Sequence, residues 1–330
     1  MSPKIHAAIT GTGHYAPDKV LTNADLEKMV DTSDEWIRTR TGIRERRIAA
    51  AGQLTSEMGT LAARRALESA GVAPEAVEAI YVATCTSDMI FPSTACLIQA
   101  ALGAQKAYGF DLSSACAGFL MALDTAASAI ESGRIRTALV IGAEKLSSVT
   151  DWTSRNTCVL FGDGAGAVVL QASDRPGLLS SLLGVDGTLA DFLSIPAGGC
   201  KMPATAETIR DHLHCIHMSG RETFKIAVNT MLMAAEEAVA RAGLTVADID
   251  CIVPHQANMR IVEAVAKRLG EGVVDRVFLN LDRYGNTSAA SIPIALSEAV
   301  AAGKVKSGDK VLMVAFGGGL SWGGAVVEWL

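Results

Sequence analysis

Short apolar runs recur along the chain, separated by longer stretches in which apolar residues return every three or four positions. EAIYVAT (78–84), TALVIGA (137–143), DCIVP (250–254) and KVLMVAF (310–316) read as strands bounded by polar or turn-forming residues. Between such runs lie helical patterns of 12 to 18 residues; after Cys116, for instance, Phe119, Leu120, Leu123, Ala126, Ala127 and Ile130 fall on one helical face. Strands alternating with helices predict an α/β protein whose sheets are largely parallel and covered on both faces.

The pattern also repeats. LAARRALESAGVAPEAVEAIYVAT (61–84) aligns without gaps with MAAEEAVARAGLTVADIDCIVPHQ (233–256), because Gly71 and Gly243 stand 172 positions apart. CAGFLMALDTAASAIESGRI (116–135) lies over NTSAASIPIALSEAVAAGKV (286–305) at an offset of 170, and a strand-like run follows each block. One such match is ordinary among Ala-rich helices that end in Gly; several in the same order at nearly the same offset imply duplication. The expectation is two similar halves, 1–175 and 176–330, whose sheets pack together through central helices. In this alignment Cys116 falls on Asn286, and His255 falls on Ala83 at the end of the matching strand.

Composition narrows the function. With 49% hydrophobic and 19% charged residues, 330 residues can bury a substantial core. A net charge of −6, with no block of like charges and no basic tail, argues against a nucleic-acid partner, and an acidic partner would need a local basic patch. The N-terminal stretch lacks an apolar core followed by a small-residue cleavage pattern, and no apolar run approaches the roughly 18 residues that span a bilayer. A cytoplasmic chain with no membrane association is expected. Its seven cysteines are odd in number, scattered and without a CxxC pair, so neither a disulfide framework nor a metal site is expected.

Three polar residues stand where the repeat brings equivalent ends together. Cys116 follows the strand-like AYGFDL and precedes a helix, where free N–H groups and the dipole favour a thiolate; judged by location alone, a buried structural cysteine is the favoured reading. His255 ends a strand in VPHQAN, with Asn258 placed to cap the next helix. Asn286 sits in GNTSAAS, a sequence that also suits an ordinary turn. FGDGAGAVVL (161–170) looks like a dinucleotide loop but leads into a strand rather than a helix, so it fails as a phosphate cradle. FGGGLSWGGAVVEWL (316–330) reads as a terminal hairpin whose glycines allow close backbone approach.

DLSSACAGF, VPHQAN and GNTSAAS, in that order, together with DTSDEWIRTRTGIRERR (31–47) and FGGGLSWG, closely resemble the 3-oxoacyl-[acyl-carrier-protein] synthase III family over essentially the whole chain. The resemblance implies a thiolase-like, duplicated five-layer α-β-α-β-α fold. It implies a decarboxylative Claisen condensation of a short acyl-CoA primer, acetyl-CoA foremost, with malonyl-acyl carrier protein, starting type II fatty-acid synthesis without a cofactor. Cys116 would form the acyl-enzyme, His255 and Asn286 would stabilise the enolate, and the N–H groups of Cys116 and Gly318 would form an oxyanion hole.

The same resemblance places Trp36 and Arg155 against the adenine of CoA and Arg40 at its pyrophosphate. Phe91 would reach across a homodimer to limit the primer pocket, while Phe161, Met218 and Phe224 would line pocket or tunnel. Asn258 would support the HQAN motif, and Lys225, Arg260, Lys267 and Arg268 would dock the carrier protein; core packing, surface cover or a solvated charged face would also account for such residues. Arg221, Asn156 and a long 197–217 segment depart from better-known members, which leaves primer preference open. An elongating synthase would carry a second histidine in place of Asn286, and a thiolase a second active-site cysteine near the C-terminal glycines. A condensing enzyme of secondary metabolism could keep the same three residues. A papain-like hydrolase lacks the duplication, and a non-catalytic carrier-binding module would not need the intact set.

Overall fold

The computed structural model describes residues 4–330, except for the side chain of Arg221, which lies outside the described residues along with positions 1–3. Nine strands form the two main sheets: β1 (His6–Tyr15), β2 (Ala79–Ala83), β3 (Tyr108–Leu112), β4 (Thr137–Lys145), β5 (Asp163–Ser173), β6 (Leu178–Val185), β7 (Cys251–Pro254), β8 (Lys310–Gly317) and β9 (Ser321–Glu328). The helices that shape the site are α1 (Asp34–Thr41), α2 (Thr55–Ala70), α3 (Thr94–Leu102), α4 (Gly118–Glu131), α5 (Gly220–Arg241), α6 (Met259–Leu269) and α7 (Ser291–Ala301).

The first sheet has the order β1-β5-β4-β2-β3 and the second β6-β9-β8-β7, so each strand of the second has a counterpart in the first. The edge strand β3 has no full counterpart; a single parallel bridge from Ile252 to Val277 stands in its place. Both sheets are mixed rather than largely parallel: β2 pairs in parallel with β3 and β4, and β7 with β8, whereas β1–β5, β4–β5, β8–β9 and β6–β9 are antiparallel. The expectation failed because helices cover both faces of every central strand. The strands therefore read as continuous apolar runs, the pattern usual for parallel sheets, whatever their direction.

Helices α4 and α7 lie between the sheets. Phe119, Leu120 and Leu123 of α4 and Ile292, Ala295 and Leu296 of α7 share one core with Tyr81, Val140 and Val168 of the first sheet and Val253, Met313 and Ala325 of the second. Outside the first sheet, α2 and α3 pack Met58, Ala62, Ala66 and Ile98 onto Ile80, Val82 and Ile141; outside the second, α5 and α6 pack Met231, Ala235 and Val265 onto Leu312 and Val314. The layers are therefore α-β-α-β-α. Gly71 and Gly243, the residues that set the repeat, both follow a helix with left-handed backbone, φ +63° and +70°, where a side chain would be strained.

Candidate active site

Cys116 sits in a 3-10 turn (Ala115–Ala117) that leads into α4 and is only 7% exposed. Its backbone is pressed against the end of β8: a Cβ on Gly317 would lie 2.6 Å from the Cys116 nitrogen and 3.0 Å from that of Ala117. Glycine is needed there because the two backbones touch. His255 follows β7 and is anchored by its N–H to the Val314 carbonyl at 2.8 Å. Asn286 is held between two backbone bonds, its N–H to Leu160 O at 2.8 Å and its carbonyl accepting from Gly162 N at 3.0 Å.

These three residues, far apart in sequence, line one cavity of about 110 Å³ together with Phe161, Met218, Phe224 and Asn258. A second cavity, of about 390 Å³, lies on the other side of Cys116 and Phe161. Its walls include Cys85, Ile195, Ile216, Ser288 and Gly318, so Cys116 is reached from two directions.

Hydrogen bonds orient both polar partners. Ser291 Oγ stands 2.7 Å from His255 Nδ1 and accepts the Gln256 N–H at 3.4 Å. The Ser291 hydroxyl is placed to donate to Nδ1, the arrangement that leaves the imidazole proton on Nε2. Burial pushes the His255 pKa down to about 3, so the ring is neutral. Asn286 Oδ1 accepts the Ser288 N–H at 2.8 Å, which leaves the amide nitrogen as donor. Cys116 differs from its helix-terminus expectation. Burial pushes its thiol up to about 12, and the nearby Glu144 carboxyl and Cys85 add to that rise. Burial outweighs the helix terminus because no cation shares the pocket among the causes that move this thiol.

The other sequence-selected residues lie farther out. Trp36, on α1, packs against two guanidiniums, Arg40 at 4.6 Å and Arg155 at 5.1 Å from its ring centroid. Lys225, Arg260, Lys267 and Arg268 are exposed on α5 and α6, and Arg260 stands 5.5 Å over the Phe224 ring at the edge of the first cavity. Asn258 caps α6 by accepting the Arg260 N–H at 2.9 Å. Phe91 is 83% exposed and lines neither cavity within its own chain. Asn156 is exposed beside Arg155. Segment 197–217 folds back on itself, Ala197 N bonding Leu213 O at 2.9 Å, with Ile195 and Ile216 at its two ends in the second cavity.

Sequence reasoning overlooked Ser288, Ser291 and Glu144. The serines lie in the very block that overlays Cys116, but a serine near a helix start carries no signal that tells orientation from capping. Glu144 ends a strand whose apolar run conceals it.

A thiol at a helix start, sharing one cavity with a neutral imidazole and an amide in a duplicated α-β-α-β-α core, fits a thiolase-like condensing enzyme of the acyltransferase type. Residues 110–187 match the family described as 3-oxoacyl-[acyl-carrier-protein] synthase III, and residues 239–329 match its C-terminal part. The chain is 56% identical to the beta-ketoacyl-[acyl-carrier-protein] synthase III of Caldanaerobacter subterraneus, over 100% of this chain and 99% of that one. It is 53% identical to that of Roseiflexus sp. over 98% of each. The crystal structure of 3-oxoacyl-[acyl-carrier-protein] synthase III from Aquifex aeolicus superposes with a TM-score of 0.90 at 49% identity, covering 98% of this chain and 100% of that one. The chain belongs to the 3-oxoacyl-[acyl-carrier-protein] synthase III family.

Proposed function

We propose that this enzyme joins a short-chain acyl-CoA, acetyl-CoA foremost, to malonyl-acyl carrier protein, giving 3-oxoacyl-carrier protein, CoA and CO₂ and so starting fatty-acid synthesis. The observation that carries this reading is the convergence of Cys116, His255 and Asn286 on one cavity with the orientations described above. Cys116 attacks the acyl thioester, and the CoA thiolate leaves. A thiolate suits this step because it is both a strong nucleophile and a good leaving group. When the malonyl group loses CO₂, negative charge gathers on its thioester oxygen. His255 Nε2–H and the Asn286 amide donate to that oxygen, and the carbanion attacks the acyl-enzyme. A neutral histidine suits a donor role, and no strong base is required because decarboxylation itself generates the nucleophile. The N–H groups of Cys116 and Gly318 hold the acyl-enzyme oxygen, a contribution typically worth about 3 kcal/mol per donor. No cofactor enters, because both acyl groups arrive activated as thioesters.

Substrate approach follows from the outer residues. CoA lies over Trp36, its adenine taking over a ring face that Arg155 now covers and its pyrophosphate meeting Arg40. The acidic carrier protein docks on Lys225, Arg260, Lys267 and Arg268, all exposed on α5 and α6, with Arg260 over the Phe224 ring at the cavity edge. The acyl chain occupies the second cavity, and the chain acts in the cytoplasm as a homodimer. The dimer reading is supported by the unpaired edge of β3, which exposes Tyr108 and Phe110 at 44% and 42%, beside Ile90 and Phe91 at 90% and 83%. Phe91 would then enter the partner's primer cavity.

Mass spectrometry after incubation with acyl-CoA alone tests the reading. One acyl group is expected on Cys116, absent in Cys116→Ser, with CO₂ release once malonyl-carrier protein is added. Absence of loading and of CO₂ across C2 to C10 primers would overturn it.

A further inference from the structure

Arg46 has no part in the chemistry above, and it has no exposed surface. It stands on a short strand, Glu45–Ile48, paired with Lys19–Thr22 in a ribbon apart from the two main sheets. Its guanidinium donates to Leu21 O at 3.2 Å, to Asn23 Oδ1 at 2.9 Å and to Val159 O at 2.6 Å. None of these acceptors is charged, and the neighbouring acid, Glu45, meets Arg47 instead at 3.6 Å. The Arg46 Nε is buried without a partner among the described residues. A charge enclosed in this way is costly, and burial lowers the Arg46 pKa to about 10, which still leaves it protonated at neutral pH.

The bond to Val159 is the one that reaches the site. Val159 directly precedes Leu160, Phe161 and Gly162, and both backbone bonds of Asn286 end on that segment: its N–H on Leu160 O at 2.8 Å and its carbonyl on Gly162 N at 3.0 Å. Phe161 and Asn286 pair there as an isolated parallel bridge. The two stretches cross at glycines, because a Cβ on Gly162 would collide with the Tyr284 carbonyl and one on Gly285 would lie 2.7 Å from Leu160 O. The Arg46 stem lies against that crossing, its Cβ 3.1 Å and 3.3 Å from where those two added atoms would stand. Arg46 therefore packs on both stretches with its stem and ties one of them with its charge. The other is stitched to the same ribbon by Arg44 N–H, which donates to Asp282 O at 2.9 Å.

We propose that Arg46 is a positioning residue, its guanidinium fork holding Val159 so that the 160–162 segment presents the Asn286 amide to the reacting thioester oxygen. The inference rests on Asn286 being a donor to that oxygen. The oxygen gains its charge only as CO₂ leaves, and a donor displaced by a fraction of an ångström loses most of its effect. Asn286 Oδ1 already accepts the Ser288 N–H at 2.8 Å, so rotation of the side chain cannot correct a backbone that has drifted. Cys116 has a different support, the contact of its turn with Gly317. Primer loading and decarboxylation therefore depend on Arg46 unequally. Arg46 lines neither cavity and acts only through Asn286.

Arg46→Lys keeps the charge and most of the stem but replaces the planar fork by a compact ammonium, which cannot span Asn23 and Val159 in the same geometry. Single-turnover decarboxylation of malonyl-carrier protein on preloaded acyl-enzyme should fall about tenfold, while acyl loading of Cys116 stays within about threefold of wild type. Arg46→Met removes every donor and should lower the same step by about a hundredfold. Because unmet buried carbonyls can cost Arg46→Met its fold, a thermal melt accompanies each variant, and Arg46→Lys carries the test.

A double-mutant cycle separates positioning from a general structural role. In an Asn286→Ala background the same Arg46→Lys change should cost less than about twofold, because the donor it places is gone. An arginine that merely holds the fold would lower loading and decarboxylation together, or lower decarboxylation by the same factor with and without the Asn286 amide. Either result would overturn the inference, as would Arg46→Lys that decarboxylates at the wild-type rate. Asn286→Ala that by itself decarboxylates at the wild-type rate would instead remove Asn286 as a donor, so the two failures are distinguishable.

Discussion

Replacing Gly317 by alanine tests how tightly the end of β8 holds the nucleophile. The added methyl would stand 2.6 Å from the Cys116 nitrogen, 3.0 Å from the Ala117 nitrogen and 3.2 Å from the Cys116 Cα, where ordinary contact begins at 3.4 Å. All three atoms are backbone, so no flexible side chain can swing aside. The Cys116 turn or the 317–318 strand end must recede by about 0.8 Å, and either movement shifts the sulfur against the N–H groups of Cys116 and Gly318. Misplacement on that scale costs about a hundredfold in rate, or about 2.7 kcal/mol of barrier. Overpacking adds about 1–3 kcal/mol of lost stability, a fall of a few degrees in Tm for a chain of this size. Gly187→Ala serves as the control, because a methyl there meets nothing within 4 Å. Rapid-quench mass spectrometry of acyl loading, with a thermal melt of each variant, gives both numbers. Gly317→Ala that folds and acylates within threefold of wild type would refute the claim that contact between β8 and the turn positions Cys116.

Three further outcomes are expected. Ser291→Ala frees the His255 ring to adopt either tautomer, so single-turnover decarboxylation on preloaded acyl-enzyme should fall about a hundredfold while acylation stays within a few-fold; equal loss of both steps contradicts the orienting role. Because burial holds the His255 pKa down near 3, lowering the pH through 6.5 leaves the ring neutral, and that same decarboxylation rate should stay flat from pH 8 to 5, whereas an acid limb near 6.5 would show that the ring protonates. Arg260→Glu reverses a charge at the cavity mouth and should raise KM for malonyl-carrier protein at least tenfold with primer loading unchanged, so an unaltered KM would remove Arg260 from the docking surface.

Much of the architecture is legible along the chain because duplication prints itself twice. Gly71 and Gly243 mark equivalent helix ends, and the offset between them places Cys116 over Asn286 before any contact is known. Strand direction was not legible, since Val82 in a strand paired only in parallel and Val168 in one paired only antiparallel are both buried and both read as apolar runs. Strand β1 is faint for a related reason. Its Gly11 and Gly13 sit where a Cβ would come within 2.5 and 2.3 Å of the backbone of α2, so close packing removed the side chains that would have announced a strand.

By itself, then, the sequence determined which residues carry reactive groups, where helices start and stop, and that two halves share one plan, because propensity, capping and periodicity act over a few residues. Only the tertiary structure decided how those groups behave. The exclusion of water that raises the Cys116 thiol and keeps His255 neutral depends on residues more than a hundred positions away. The Ser291 hydroxyl reaches the His255 imidazole across 36 positions, and the Thr86 hydroxyl reaches the Glu144 carboxyl across 58. Dielectric environment and hydrogen-bond direction are properties of an enclosed space, and that space exists only after both sheets have closed around it.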